Sequence, residues 1–145
     1  MTRISFFVPG QPVAKGRPIA GRGFNGHTTL RTPAKTANYE GLVAHACAQA
    51  MEGAAPLSGP LELYLQVNVQ IPASWSKKRQ QAAQDGGVRA TKKPDLDNVL
   101  KCIADGMNGV AYVDDSQIVE MNVRKVYSTT PGVHVIVLAT AGEAA

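Results

Sequence analysis

An α+β domain is expected of this chain: a small mixed or antiparallel sheet with helices packed on it as a two-layer sandwich. Three observations lead there. Residues 61–71 alternate without a break, Leu61, Leu63, Leu65, Val67, Val69 and Ile71 against Glu62, Tyr64, Gln66, Asn68 and Gln70, the pattern of a half-buried strand. Residues 36–51 and 95–107 instead repeat their apolar positions at helical spacing. Shorter alternating segments stand at both ends of the chain, so the order reads β–arm–α–β–(α)–α–β–β, helices layered on a sheet.

At the amino end Ile4, Phe6 and Val8 alternate with Arg3, Ser5 and Phe7, a first strand that stops at Pro9-Gly10. Residues 9–35 are rich in Gly, Pro, Lys and Arg and carry an Asn25-Gly26 turn signal, so they read as a basic arm or irregular hairpin. The first helix lines Tyr39, Leu42, Val43, Ala46, Cys47 and Ala50 along one side and leaves His45 to solvent. Glu40 is assigned to its first turn, where a negative charge suits the helix dipole. A short helix follows Ser76, with Trp75 as a staple against it, and residues 84–94 form a basic loop. The second long helix ends at Asn108-Gly109, which suit the left-handed conformation of a helix terminus. Two strands close the domain: 117–127, with Val119, Met121 and Val123 facing inward, and 133–139. Pro131-Gly132 turns between them, and 141–145 is expected to fray.

The 145 residues, 44% apolar, 18% charged and 6% aromatic, make one domain spanning 1–145 with the composition of an ordinary globular protein. No apolar run approaches the roughly 18 residues a membrane span needs. The start MTRISFF has no export segment, so a cytoplasmic location and no membrane partner are expected. The two cysteines, Cys47 and Cys102, form no C-x-x-C and fall in helices, where reduced buried thiols are the rule. His27, His45 and His134 do not cluster with them, and His45 and Cys47 point about 160° apart on a helix. Zinc and cysteine nucleophiles are therefore set aside.

Charge is unevenly placed. Residues 1–94 hold 12 Lys/Arg against 4 Asp/Glu, a net of +8, and residues 95–145 hold 3 against 7, a net of −4. Six of the eleven carboxylates lie between Asp95 and Glu120. A phosphate-binding module gains nothing from such a cluster, because fixed carboxylates repel a polyanion. A metal-dependent phosphoryl-transfer enzyme needs both signs: cations to hold the backbone and carboxylates to hold a divalent ion.

On a helical wheel with Leu96 at the origin, Val99, Leu100, Ile103 and Met107 fall within about 60° and form the buried stripe. Asp97, Asn98, Lys101, Asp105 and Asn108 occupy the outer side, with Asp97, Lys101 and Asp105 stacked four apart. Taken alone, that is a capped amphipathic helix with a salt-bridge ladder. A second acidic element, Asp114-Asp115, precedes the next strand. If that strand runs beside the helix start, one of its carboxylates approaches Asp95 and Asp97, and three such groups stay ionised only with a cation, Mg²⁺ or Mn²⁺. An EF-hand loop counted from Asp95 fails, with Leu100 where Gly is required and Gly106 where a bidentate Glu is expected.

The run KKPDLDNVLKCIADGMNG followed by VDDSQI resembles the RusA family of Holliday junction resolvases. FFVPGQPVAKGRP and RTPAKTANYEGLV resemble it too, particularly its prophage-type members, so that the likeness covers roughly residues 3–127. It implies a homodimeric crossover junction endodeoxyribonuclease, a metal-dependent phosphodiester hydrolase of recombination and repair. Such an enzyme binds DNA four-way junctions and makes paired symmetric nicks with Mg²⁺, for which Mn²⁺ can substitute. Carried over by position, Asp95, Asp97 and Asp115 become the metal-binding and catalytic carboxylates and Lys101 the essential lysine. Asp114 is the other acid of the pair. Asn98 and Gln117 would orient the ligands, and Asp105 would anchor Lys101 or stay solvated.

Cations of the arm and loop, namely Lys15, Arg17, Arg22, Arg31, Lys92 and Lys93, fit a surface that tracks phosphates and reads shape. Phe24 at the arm's tip is a candidate wedge into the junction. Two other readings stay open on the same residues: a branched-DNA-binding protein that does not cut, and a flap- or fork-selective metal nuclease. No nucleotide cofactor is expected, since a G-x-x-x-x-G-K-[ST] loop is missing.

Overall fold

A computed structural model of the chain describes residues 2–23 and 25–145. Its elements are β1 (Arg3–Pro9), β2 (Ile19–Arg22), β3 (Thr28–Arg31), α1 (Ala34–Met51), β4 (Leu61–Gln70), α2 (Lys77–Gln84), α3 (Leu96–Met107), β5 (Ile118–Ser128) and β6 (Gly132–Ala139), with a 3₁₀ turn at Asp115–Gln117 ahead of β5. The α+β expectation is met. β1, β6, β4 and β5 form one mixed sheet in that order, and β2 pairs β3 in a separate hairpin. The arm is thus a two-stranded hairpin whose strands are exposed throughout.

Within the sheet β6 is antiparallel to both β1 and β4, and β4 is parallel to β5. Parallel neighbours need a long crossover, here supplied by α2 and α3. The odd-numbered face of β4 carries Leu61, Leu63, Leu65, Val67 and Val69, all buried. Against it pack Tyr39, Val43, Cys47 and Met51 of α1 and Val99, Cys102, Ile103 and Met107 of α3, with Val133, Val135 and Val137 of β6 completing one apolar core. α1 and α3 approach closely at Gly106, where a Cβ would lie 2.9 Å from Val43 Cβ and 3.0 Å from the Glu40 carbonyl oxygen.

Three local expectations are corrected. α1 begins at Ala34, so Glu40 lies beyond the first turn, which holds no acidic residue. Gly109 alone takes the positive φ of 78° after α3, while Asn108 is extended. Val119 and Met121 do not face a core: they are 66% and 48% exposed. β5 is the edge of the sheet; a register irregularity opposite Leu61 and Glu62 displaces Val119, and the apolar core reaches Val123 and Tyr127 but not Met121. Trp75 does act as a staple, lying edge-on to Tyr127 with the Arg79 guanidinium of α2 4.3 Å above its ring. His45 is exposed as expected.

Candidate active site

α3 organises the acidic residues, and its direction decides which of them meet. Asp95 is the N-cap residue, and Asp97 lies in the first turn. Both are exposed, at a helix end where the backbone dipole favours negative charge. This head of α3 adjoins the later half of β5: the Lys125 ammonium donates to the carbonyls of Lys92 and Pro94, at 2.7 and 2.9 Å. Lys92 and Lys93 are thereby pinned beside Asp95. Lys101, one turn beyond Asp97, is exposed, and no ion pair joins it to Asp97 or Asp105 among the described residues. The salt-bridge ladder does not form.

The foot of α3 holds the other acidic element. Because α3 runs antiparallel to β4 and β5, its last turn comes back to where those strands begin. Leu57, just ahead of β4, donates to the Ala111 carbonyl at 2.8 Å, and Asn108 Oδ1 accepts the backbone N–H of Asp115 at 3.0 Å. Asp115 lies within reach of Asp105 rather than of Asp95 or Asp97. Burial, the charges of Asp114 and Asp105 and a hydrogen bond shared with Asp105 together hold its carboxyl above the usual carboxylate range. Asp114 is held below it by hydrogen bonds from Ser116. Asp97 and Asp105 are eight positions apart, about 12 Å along the helix axis. The condition set for a three-carboxylate cluster, a strand starting beside the helix head, is not met within one chain.

Gln117 holds this turn in shape. Its Oε1 accepts from the N–H groups of Val113 and Asp114, at 2.9 and 3.2 Å, and its Nε2 donates to the carbonyls of Leu57 and Gly59 at 3.0 Å each. Asp114 completes a reciprocal cap with it. Asn98 is half-buried and offers its carbonyl to the N–H of Lys15 at 2.9 Å.

Lys15 is where the sequence misled most. Its ammonium sits between Glu40 at 2.6 Å and Asp105 at 2.8 Å, with the lysine side chain 22% exposed. Burial works against that charge, but hydrogen bonds to Asp105 and Glu40 outweigh it and raise its pKa above the ordinary value. A lysine so occupied fastens the root of the arm to α1 and α3 and is not a free cation for a phosphate. Glu40 was missed altogether as part of this network; it lies half-buried on α1 next to the contact of that helix with Gly106 of α3. Arg17, Arg22, Arg31, Lys92 and Lys93 are exposed. Phe24 falls outside the described residues.

Mg²⁺ prefers oxygen ligands at about 2.0–2.1 Å in octahedral array, usually one or two carboxylates with waters and substrate phosphates. The donor chemistry of both acidic pairs suits it. The expected trio does not: among the described residues no three His, Cys, Asp or Glu side chains converge on one ion. No helix of the described residues is long and apolar enough to cross a membrane. Residues 9–138 match the family described as endodeoxyribonuclease RusA. YqaN of Bacillus subtilis (strain 168), described as uncharacterised, is 39% identical over 139 residues, which cover 94% of this chain and 96% of that protein.

Proposed function

Because this chain belongs to the RusA family of endodeoxyribonucleases, we propose that it resolves four-way DNA junctions as a homodimer, nicking paired strands with Mg²⁺ as cofactor. The observation that carries the reading is the head of α3. Two exposed carboxylates, Asp95 and Asp97, sit beside a loop of exposed lysines that Lys125 ties to the sheet. A DNA strand lying there meets Lys92 and Lys93 with its phosphates, and its approach is salt-dependent for that reason. Lys101 projects one turn beyond Asp97, where its ammonium can meet charge that grows on a phosphate oxygen during hydrolysis. Arg17, Arg22 and Arg31 extend the cationic surface along the β2–β3 hairpin.

The chemistry a bound Mg²⁺ supplies is polarisation of the phosphate and activation of water. Of the expected carboxylate set, one chain holds Asp95 and Asp97 at the head of α3 and Asp115 at its foot. The test is cleavage of an immobile synthetic four-way junction, a flap and a linear duplex, by wild type and Asp97→Asn, with Mg²⁺ or EDTA. Paired nicks in the junction that need Mg²⁺ and vanish in the variant, with junction binding kept and weakening steeply in salt, are expected. Tight junction binding without any cutting by wild type points to the non-cleaving protein. Preferential cutting of the flap keeps the nuclease and discards the substrate.

A further inference from the structure

Beside the head of α3, on the far face of the sheet, lies a groove that the acidic residues do not use. We propose that it takes one unpaired nucleobase of DNA, with the phosphates on either side of that base held by Arg89 and Arg124. That the groove binds a nucleotide stands by itself; that the nucleotide belongs to the strand being cut rests on the nuclease reading.

The groove is built from even-numbered positions of β4 and β5. Gln66 and Asn68 stand beside Arg124 and Val126 in the register of the two strands, on the face turned away from α1 and α3. The segment from Ala83 to Ala90 folds over the end of this face and leaves a cavity of about 340 Å³, at the small end of the range of ligand sites. Its floor is closed: Asn68 is 4% exposed and Ala83 2%, and Ala83 lies outside the main apolar core. Half-buried Val88 and Val126 form its walls, and the exposed Arg89 and Arg124 stand at its rim.

Hydrogen bonds run inward through the groove and stop at its floor. Arg124 donates to Gln66 Oε1, and Gln66 Nε2 donates to Asn68 Oδ1 at 3.0 Å. Asn68 Nδ2 then meets no acceptor among the described residues. A buried donor without a partner is costly, and a ligand acceptor on the floor would satisfy it. Neither arginine is paired with a carboxylate, because both ion pairs of the described residues belong to Lys15.

The layering selects the ligand. A phosphate seated on the floor would exchange its water for one neutral donor and apolar walls. A base suits every layer: its ring packs against Val88 and Val126, a ring nitrogen or carbonyl accepts from Asn68, and its phosphates reach the arginines. A base inside a duplex is stacked and cannot enter, whereas an unpaired or readily unstacked one at a branch point can. Lys125 lines the groove and also holds the Lys92 and Pro94 carbonyls. Six residues join Arg89 to Asp95, a span of at most about 22 Å. One strand can thus present a phosphate to the head of α3 and a nearby base to the groove. A site that commits a buried donor to its ligand discriminates by it, so the groove adds base preference to a surface that otherwise tracks phosphates.

The test uses the full chain, isotopically labelled for magnetic resonance, and the deoxynucleoside monophosphates, with deoxyribose 5-phosphate as the probe that lacks a base. Millimolar nucleotide should shift the side-chain amide of Asn68 and the backbone signals of Val88 and Arg89, and the bases should differ in affinity. Asn68→Ser and Arg124→Gln should each weaken binding about tenfold; Arg124 is exposed, so its variant decides the matter if Asn68→Ser does not fold. No shift at Asn68 with any nucleotide overturns the site. Deoxyribose 5-phosphate bound as tightly as the nucleotides overturns the base and leaves an anion site only. Junctions with a single abasic position, moved stepwise along the cleaved strand, then test the placement. One position near the cut should slow nicking about tenfold in wild type and leave Arg124→Gln, already slowed, unchanged. Nucleotide binding with no sensitive position removes the groove from the cleaved strand. Wild type that binds nucleotides at Asn68 yet cuts no junction leaves the groove standing and removes the nuclease reading instead.

Discussion

Lys15→Met isolates the charge that ties the arm to the body, because methionine keeps an apolar stem of similar reach. At a charge separation near 4 Å and an effective dielectric of 20, each of the two ion pairs is worth roughly 4 kcal/mol before solvation is counted. Ordering the lysine and partly drying three charges returns most of that. Exposed pairs retain about 0.2–1 kcal/mol, and stranding a buried charge costs about 3–5 kcal/mol. With side chains 22–25% exposed the site lies between, and a loss of about 2 kcal/mol is the consistent value. For a chain of this length that lowers Tm by roughly 4–8 °C. The pH dependence carries its own sign. A lysine whose folded pKa is raised contributes stability in full below the ordinary value of 10.5 and loses it as pH climbs through the folded value. The Tm gap between wild type and Lys15→Met should therefore hold through neutral pH and close at alkaline pH above the ordinary value. Thermal unfolding followed by circular dichroism, with Glu40→Gln to complete a double-mutant cycle, measures it. A gap under 1 °C at pH 7, or no coupling between positions 15 and 40, refutes the network as a stabilising contact.

Gly106→Ala sets two effects against each other. Alanine gains about 1 kcal/mol of helix propensity over glycine, but its Cβ meets Val43 and the Glu40 carbonyl at 2.9 and 3.0 Å, and overpacking of that kind costs about 1–3 kcal/mol. Tm should fall, and a rise would show that α1 and α3 are free to move apart. Burial pushes the Cys47 thiol up to about 11 and the Cys102 thiol up to about 12. A thiol reagent at pH 8 should label neither in the native protein and both in denaturant. Rapid labelling of the native protein would mean that the α1–α3 layer opens.

The local pattern of the chain determined most of its elements. Eleven alternating residues specify β4, because side chains on a strand leave opposite faces in turn. The stripe of Leu96, Val99, Ile103 and Met107 specifies α3 and puts Asp97 and Lys101 outside. Asp95 before that stripe was legible as the helix start, and the D-L-D-N and D-D-S-Q runs carried the family resemblance. None of these signals reaches beyond its own segment. The linker of ten residues from Asn108 to Gln117 can extend to about 33 Å. That is enough to lead the chain either back to the head of α3 or straight on from its foot, so the sequence allowed both. Tertiary structure chose the foot, because the crossover makes β5 parallel to β4 and both strands start at the same end. That choice puts Asp115 against Asp105 and leaves Asp95 and Asp97 at the opposite end. Lys15 was undecidable for the same reason: its partners, Glu40 and Asp105, are 25 and 90 positions away, brought to it only by the packing of α1 on α3. The exposure of Val119 and Met121 depends on β5 being the edge, a matter of strand order that alternation along a single strand does not encode.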